Sequence, residues 1–467
     1  MLEFFRQKVL AAARPEGQEG GLGKNATLRA ALDAAEPKIA TEFADQPLAE
    51  AAIRDTLGES YRYMGDPALA VRQQQRALAL RQAVLGRDHP DTLLSMSHLA
   101  DSYREAGQAE SAIPLHEQAL KLRRARLGRQ HPDTLLSMNN LADAYRQAGR
   151  LTDSIPLFEE ALELQKTKLG PDHPDTLISM DNLGGAYREV GRDADAAPLF
   201  ERALIGFKAN LGPDHPDTLI CMDSVARVYG DTGRLADAMP LFQDIIERRK
   251  AKLGPDHPGT LVSMNNFASA LRLAGKTAEA ISLHQRTFDL QKAKLGADHP
   301  HTLITMGNLA SDFQQAGRLA DAIELHRRTL GLRLAKLGAA HPHTMQAMNN
   351  LAGAYLECKE WSRAENLLRR CLELRAKSQF GDWWRFHTMS QLGAALAGQN
   401  RYTEAEPFLI SGFEGLRTRE TQFPAPNKKN LAAAAARVVP FYEAWGKADK
   451  AAEWRVKLAN PSAERKR

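Results

Sequence analysis

The chain has 467 residues, 62 Lys and Arg against 57 Asp and Glu, and is 43% hydrophobic and 25% charged. That composition excludes a long disordered chain and a collagen-like or proline-rich one, and a net charge of +5 over this length does not argue for nucleic acid or a membrane surface. Three cysteines, Cys221, Cys358 and Cys371, make no disulfide framework and point to a reducing, cytoplasmic setting.

At about 150 residues per domain, length alone predicts about three globular domains. No apolar run reaches the roughly 18–20 residues of a bilayer span. The first residues, Met1-Leu2-Glu3-Phe4-Phe5-Arg6-Gln7-Lys8, are too charged for a signal-peptide core. Residues 2–14 read as a helix and 15–25 as a Gly-rich linker. Within the linker, Gly20-Gly21-Leu22-Gly23-Lys24-Asn25 looks faintly like a phosphate loop. It fails the spacing, because Gln18 stands where that loop needs Gly and Asn25 where it needs Ser or Thr. Residues 26–43 read as a single further helix, and 1–46 together as an N-terminal cap.

From residue 47 onward a repeat takes over. The string Leu-Gly-x-x-His-Pro recurs at Leu85, Leu127, Leu169, Leu211, Leu253, Leu295 and Leu337, each step 42 residues. A small residue marks the same array at Ala70, Ala112, Ser154, Ala196, Ala238, Ala280, Ala322, Ala364, Ala405 and Ala451, so the last two steps loosen to 41 and 46. This gives about ten units: a regular array over 47–378 and divergent units with a cap over 379–460. A charged tail occupies 461–467.

Each unit predicts two helices. In the third, Met138, Leu141, Ala142 and Tyr145 follow one helical face, and Ser154, Leu157, Phe158, Ala161 and Leu162 follow another. Gly149 breaks the first helix and Gly170 the second, with Lys166 and Lys168 at the negative end of the dipole. Pro174 suits a first helical position, and Pro114, Pro156, Pro198 and Pro240 are expected in the first turn of the second helices. Neither helix buries its apolar stripe alone. Neighbours must stack, so a solenoid replaces the globular domains.

The spacing Leu141-Ala142-x2-Tyr145-x3-Gly149-x4-Ser154-x3-Phe158-x2-Ala161 resembles the tetratricopeptide repeat. The 42-residue unit, its LGPDHPDTL joint and the Met-Asn-Asn-Leu-Ala string resemble the kinesin-light-chain type of that repeat. Residues Asn25–Leu57 resemble the segment joining bacterial serine/threonine kinases to their tetratricopeptide tails, although the chain carries no Gly-rich loop on a strand, no His-Arg-Asp and no Asp-Phe-Gly. The resemblance implies an all-α tetratricopeptide solenoid, a right-handed superhelix of antiparallel helix pairs. It implies a non-catalytic scaffold that takes peptide segments, acidic ones as a first guess, in a concave groove lined by the first helices. A regulatory module beside a separate kinase or NTPase is the alternative.

The joint histidines, one per unit, lie about 10 Å apart in such a stack, too far to share one metal ion, so they are expected to serve the helix starts. His299/His301 and His341/His343 form local pairs. Cys358 and Cys371 lack a His-Asn or His-Asp partner set for a catalytic thiol. No catalytic, cofactor or metal site is expected. Three columns are the groove candidates. The first holds Ser97, Asn139, Asp181, Asp223, Asn265, Gly307 and Asn349. The second holds His98, Asn140, Asn182, Ser224, Asn266, Asn308 and Asn350. The third holds Arg104, Arg146, Arg188 and Arg272, then fades to Gly230, Gln314 and Leu356. Asn can donate to and accept from an extended main chain, and Arg suits carboxylates. The plain alternative is that Asn bonds between adjacent helices and Arg is solvated. Single-stranded RNA is disfavoured, since no regular aromatic is present for base stacking. Trp361, Trp383, Trp384 and Trp454 mark a specialised C-terminal end.

Overall fold

The structure, a computed structural model, describes residues 27–376, 382–420 and 428–459. The expected helix 2–14, the linker 15–25 and the tail 461–467 lie outside them. The described residues are helical, with no strand among them. They divide into two compact units, the first ending at Lys168 and the second starting at Leu169.

The first unit opens with α1 (Leu28–Ala35), a 3-10 turn (Glu36–Lys38) and α2 (Ile39–Glu42). The single helix expected over 26–43 is therefore broken. Pro37 has no N–H to continue the ladder, so the hydrogen bonding is interrupted there by a 3-10 turn although Glu36 keeps helical dihedrals. Leu32, Ala35, Ile39 and Phe43 still face one way, packing on Ile53, Leu57 and Tyr61. Three helix pairs follow: α3/α4 (Pro47–Tyr63, Pro67–Leu85), α5/α6 (Pro90–Glu105, Ala109–Leu127) and α7/α8 (Pro132–Gln147, Leu151–Leu169).

The second unit continues with α9/α10 (Pro174–Glu189, Asp193–Leu211), α11/α12 (Pro216–Asp231, Leu235–Leu253), α13/α14 (Pro258–Leu273, Thr277–Leu295), α15/α16 (Pro300–Gln315, Leu319–Leu337) and α17/α18 (Pro342–Glu357, Trp361–Ala376). It ends with α19/α20 (Asp382–Ala397, Tyr402–Arg417) and α21/α22 (Lys428–Ala444, Ala448–Ala459).

The joint explains its own sequence. Gly212 ends α10 at φ +85°, a left-handed conformation that costs a side-chain-bearing residue about 1 kcal/mol or more. His215 is extended, and its Nδ1 accepts from the Asp217 N–H at 3.2 Å, so the imidazole is the N-cap of α11. Pro216 follows at the first helical position, where its missing N–H is no loss. The Thr218 hydroxyl then donates to the Gly212 carbonyl at 2.8 Å, tying the new helix to the end of the old one. The same histidine cap recurs at His89, His131, His173, His257, His299 and His341.

The core runs between the helices of each pair. Ala196, Phe200 and Ala203 of α10 are buried, and Gly184 of α9 leaves room for the Phe200 ring: a Cβ there would lie 2.8 Å from Cε1. The prolines depart from expectation. Pro114, Pro156, Pro198 and Pro240 are the sixth residues of their helices, not in the first turn. Each removes one helical hydrogen bond, but each is exposed, as is the residue four positions earlier. Water can therefore serve the freed carbonyl. At the C-terminal end Trp383 and Trp454 are buried in the core around α19 to α22, and the Trp383 and Trp384 rings stack at 4.2 Å.

Candidate docking face

Within each unit the first helices of successive pairs touch one another: α5 on α7 in the first unit, and α9 on α11, α11 on α13 and α13 on α15 in the second. Matching positions on these helices therefore form columns. On α11, Leu219, Met222, Val225 and Ala226 are buried, whereas Ile220, Ser224 and Arg227 fall on the opposite stripe at i, i+4 and i+7.

In the first column Asp223, Asn265 and Asn349 link adjacent first helices. Asn265 is buried, and its Oδ1 accepts from Thr305 and from Asn308, each at 3.1 Å. Asn349 is 1% exposed and bonds Thr388 at 2.8 Å. Asn139 is buried and donates to the Leu135 carbonyl of its own helix. Asp223 is buried as well and accepts from Asn266 at 2.7 Å. A side chain so placed supports the face from behind.

The second column is half-exposed throughout. Asn266 and Asn308 already bond the neighbouring first helix, as His98 bonds Asp55 at 3.0 Å. Asn140 and Asn350 make no hydrogen bond among the described residues, and Asn182 stands half-exposed at the matching place.

The arginines of the third column are each paired with a carboxylate. Arg104 reaches Asp143 at 3.6 Å and Arg146 the same carboxylate at 2.7 Å. Arg188 meets Asp231 at 2.7 Å, and Arg272 meets the fully buried Asp312 at 3.0 Å. A partner's carboxylate would have to displace one already present.

Two features escaped the sequence reading. One is an aliphatic column beside the Asn columns: Leu94 (44% exposed) and Leu136 (54%) in the first unit, and Ile178 (41%), Ile220 (51%) and Ile304 (37%) in the second. The signal was the doubled apolar residue after six of the seven His-Pro-x-Thr strings, the seventh reading Met345-Gln346; the first of the two, such as Leu219, enters the core. The other is Arg227, whose matching positions are Gly185 and Ser269, so no column announced it.

Buried charge lies under this face. Asp181 Oδ1 has no hydrogen-bond partner, and burial pushes its carboxyl up to about 6 against the help of Ser224 and Cys221. Burial also raises Asp223, likewise with an unpartnered Oδ1, and the Cys221 thiol. Cys221 and Cys371 are buried and bond backbone carbonyls. Among the described residues no group of three or more His, Cys, Asp or Glu is placed to hold a metal ion, and no helix is long and apolar enough to cross a membrane.

The tetratricopeptide-repeat family matches residues 49–125, 99–167, 133–209, 194–251, 225–293, 265–335 and 343–417. The chain belongs to the tetratricopeptide repeat family. No curated protein matches it. Among solved structures it is similar to the nearly identical TPR-like repeats of a putative kinesin light chain from Podosopora anserina, at 29% identity over 44% of this chain and 98% of that one, TM-score 0.39. It is also similar to BtubC (BKLC) from P. vanneervenii, at 19% identity over 51% and 93%, TM-score 0.39. Aspartyl phosphate phosphatase F from Bacillus subtilis matches at 17% identity over 71% and 79%, TM-score 0.48. The tetratricopeptide fold is typical of protein–protein interaction scaffolds, and the family membership rests on the repeats themselves.

Proposed function

We propose that this tetratricopeptide protein is a non-catalytic interaction scaffold, working in the cytoplasm, whose first-helix face receives peptide segments of partner proteins. The observation that carries this reading is the exposed aliphatic column. In five repeats one Leu or Ile, 37–54% exposed, is not needed by the core and offers apolar area at regular spacing. Beside it Asn140, Asn182 and Asn350 are half-exposed amides suited to a main chain. Asn265 and Asn349, with the arginines paired across helices, brace that face, which reduces the entropy lost on binding.

The test is capture by the full chain, with and without nuclease, against the Ile178→Glu/Ile220→Glu variant. Partners retained by the parent and lost by the variant, regardless of nuclease, fit the reading. Equal retention by both removes the face from it. The resemblance of residues Asn25–Leu57 to the linker of bacterial serine/threonine kinases supports a finer version, in which the scaffold serves a separate kinase or NTPase. Co-purification of such an enzyme with the parent alone would bear that out.

A further inference from the structure

Acidic side chains enter the first column at two places only, Asp181 on α9 and Asp223 on α11; its other members are Ser97, Asn139, Asn265, Gly307 and Asn349. Both lie in the second unit, on helices that touch. Neither carboxylate is fully matched. Asp223 is 7% exposed, and Asn266 serves one of its oxygens while Oδ1 has no partner. Asp181 is half-exposed; Cys221 and Ser224 bond it, and its Oδ1 too is unpartnered.

The cations nearby do not close the balance. Arg188 is held by Asp231 at 2.7 Å. Arg249 acts on Asp223 but donates instead to Ser263 and to the Gly259 carbonyl. Arg227 attracts Asp181 and Asp223 without a hydrogen bond or ion pair to either, and Glu189 draws on it as well. Negative charge is therefore in excess between α9 and α11.

The approach to it is open. Gly185 lies one turn beyond Asp181, and a Cβ there would meet nothing within 4 Å. Ile178 and Ile220, 41% and 51% exposed, stand one turn before Asp181 and Asp223 on the same stripes. Exposed aliphatic area beside carboxylates in excess suits a side chain with an apolar stem and a cationic tip.

We infer that Asp181 and Asp223 together hold the cationic tip of one Lys or Arg side chain of a partner peptide, its stem lying on Ile178 and Ile220. This rests on the docking reading above and adds the chemistry of one occupant, opposite in sign to the acidic segments that the family resemblance implies. The terminal torsion of an Asp is broad, so Asp181 can turn either oxygen toward the peptide. One added positive charge meets the pair where Arg227 does not, and the shielded setting strengthens the attraction.

The experiment is selection of a phage-displayed random peptide library on the full chain, followed by calorimetry with the enriched peptide. Enrichment of Lys or Arg next to Ile, Leu or Val is expected. Asp181→Asn should weaken the Lys peptide about tenfold and leave its Lys-to-Gln counterpart unchanged. Arg227→Gln removes a competing cation and should tighten the Lys peptide. The thermal midpoint of Asp181→Asn at pH 7 should be unchanged or higher, so lost binding is not lost folding; a lower midpoint, meaning a structural carboxylate, overturns the inference. Enrichment of Asp or Glu instead, or weaker Lys-peptide binding by Arg227→Gln, overturns it too. Peptides insensitive to Asp181→Asn and to Asp181→Asn/Asp223→Asn, but lost with the uncharged Ile178→Ser/Ile220→Ser variant, overturn the anchor and leave the docking face standing. Peptides insensitive to all of these, or no enrichment at all, overturn both.

Discussion

The pairs α9 to α12 and the pairs α13 to α16 share one repeat pattern yet differ at the centre of the core. The second helices of the former pack Phe200 and Phe242 there, both 1% exposed. The latter have His284 and His326 at the same places, equally buried. His284 has a remedy: Asp312, where other repeats have Ala186, Val228, Ala270 or Ala354, meets its Nδ1 at 2.5 Å, and Arg272 stands by. His326 has no such acid opposite it. Its Nε2 is buried without a partner, as is that of His284, and burial with nothing to offset it holds the His326 imidazole down to about 4. A repeat therefore keeps its fold whether the polar replacement is met by a change on the neighbouring helix, as at His284, or not, as at His326.

The largest effect should come from separating the compensated group. Asp312→Ala leaves a buried imidazole and guanidinium without their carboxylate and should cost about 3–5 kcal/mol. Adding His284→Phe should restore a substantial part of that loss. Equal losses in the single and double variants, by denaturant unfolding, would show that the two positions are not coupled.

His326→Phe should act in the opposite direction, raising stability by about 1–3 kcal/mol at neutral pH by removing the orphaned nitrogen. Its folded pKa lies below the ordinary 6.5, so the unfolded chain holds more protons between about 6.5 and 4 and stability falls as pH falls through that window. The parent should lose stability there and His326→Phe should lose less.

Asp181 gives the reverse sign. Its folded pKa, about 6 against 3.8, means the folded chain holds more protons, so stability falls as pH rises from about 4 to 6. Asp181→Asn should flatten that slope and add about 1–3 kcal/mol at pH 7. Parallel pH profiles for parent and variant would disprove it.

The smallest effect separates cap from core. His215→Ala should cost about 0.5–2 kcal/mol, and hydrogen exchange should show the loss concentrated in the first turn of α11.

The sequence alone determined the helix pairs, their 42-residue period and their joints, because these follow from local rules: a left-handed Gly, a His cap and a Pro at the first position. It also marked the matching positions that line up on successive first helices. Local rules did not say which side of each column is covered. Asn265 and Asn266 are neighbours in sequence, yet one is buried between helices and the other half-exposed. Nor did they show that Ile220 stays outside while Leu219 goes in, that Arg188 is paired while Arg227 is not, or that Asp312 faces His284. Those outcomes depend on what the adjacent helix presents at contact distance, and residues about 28 to 43 positions apart meet only when the pairs stack.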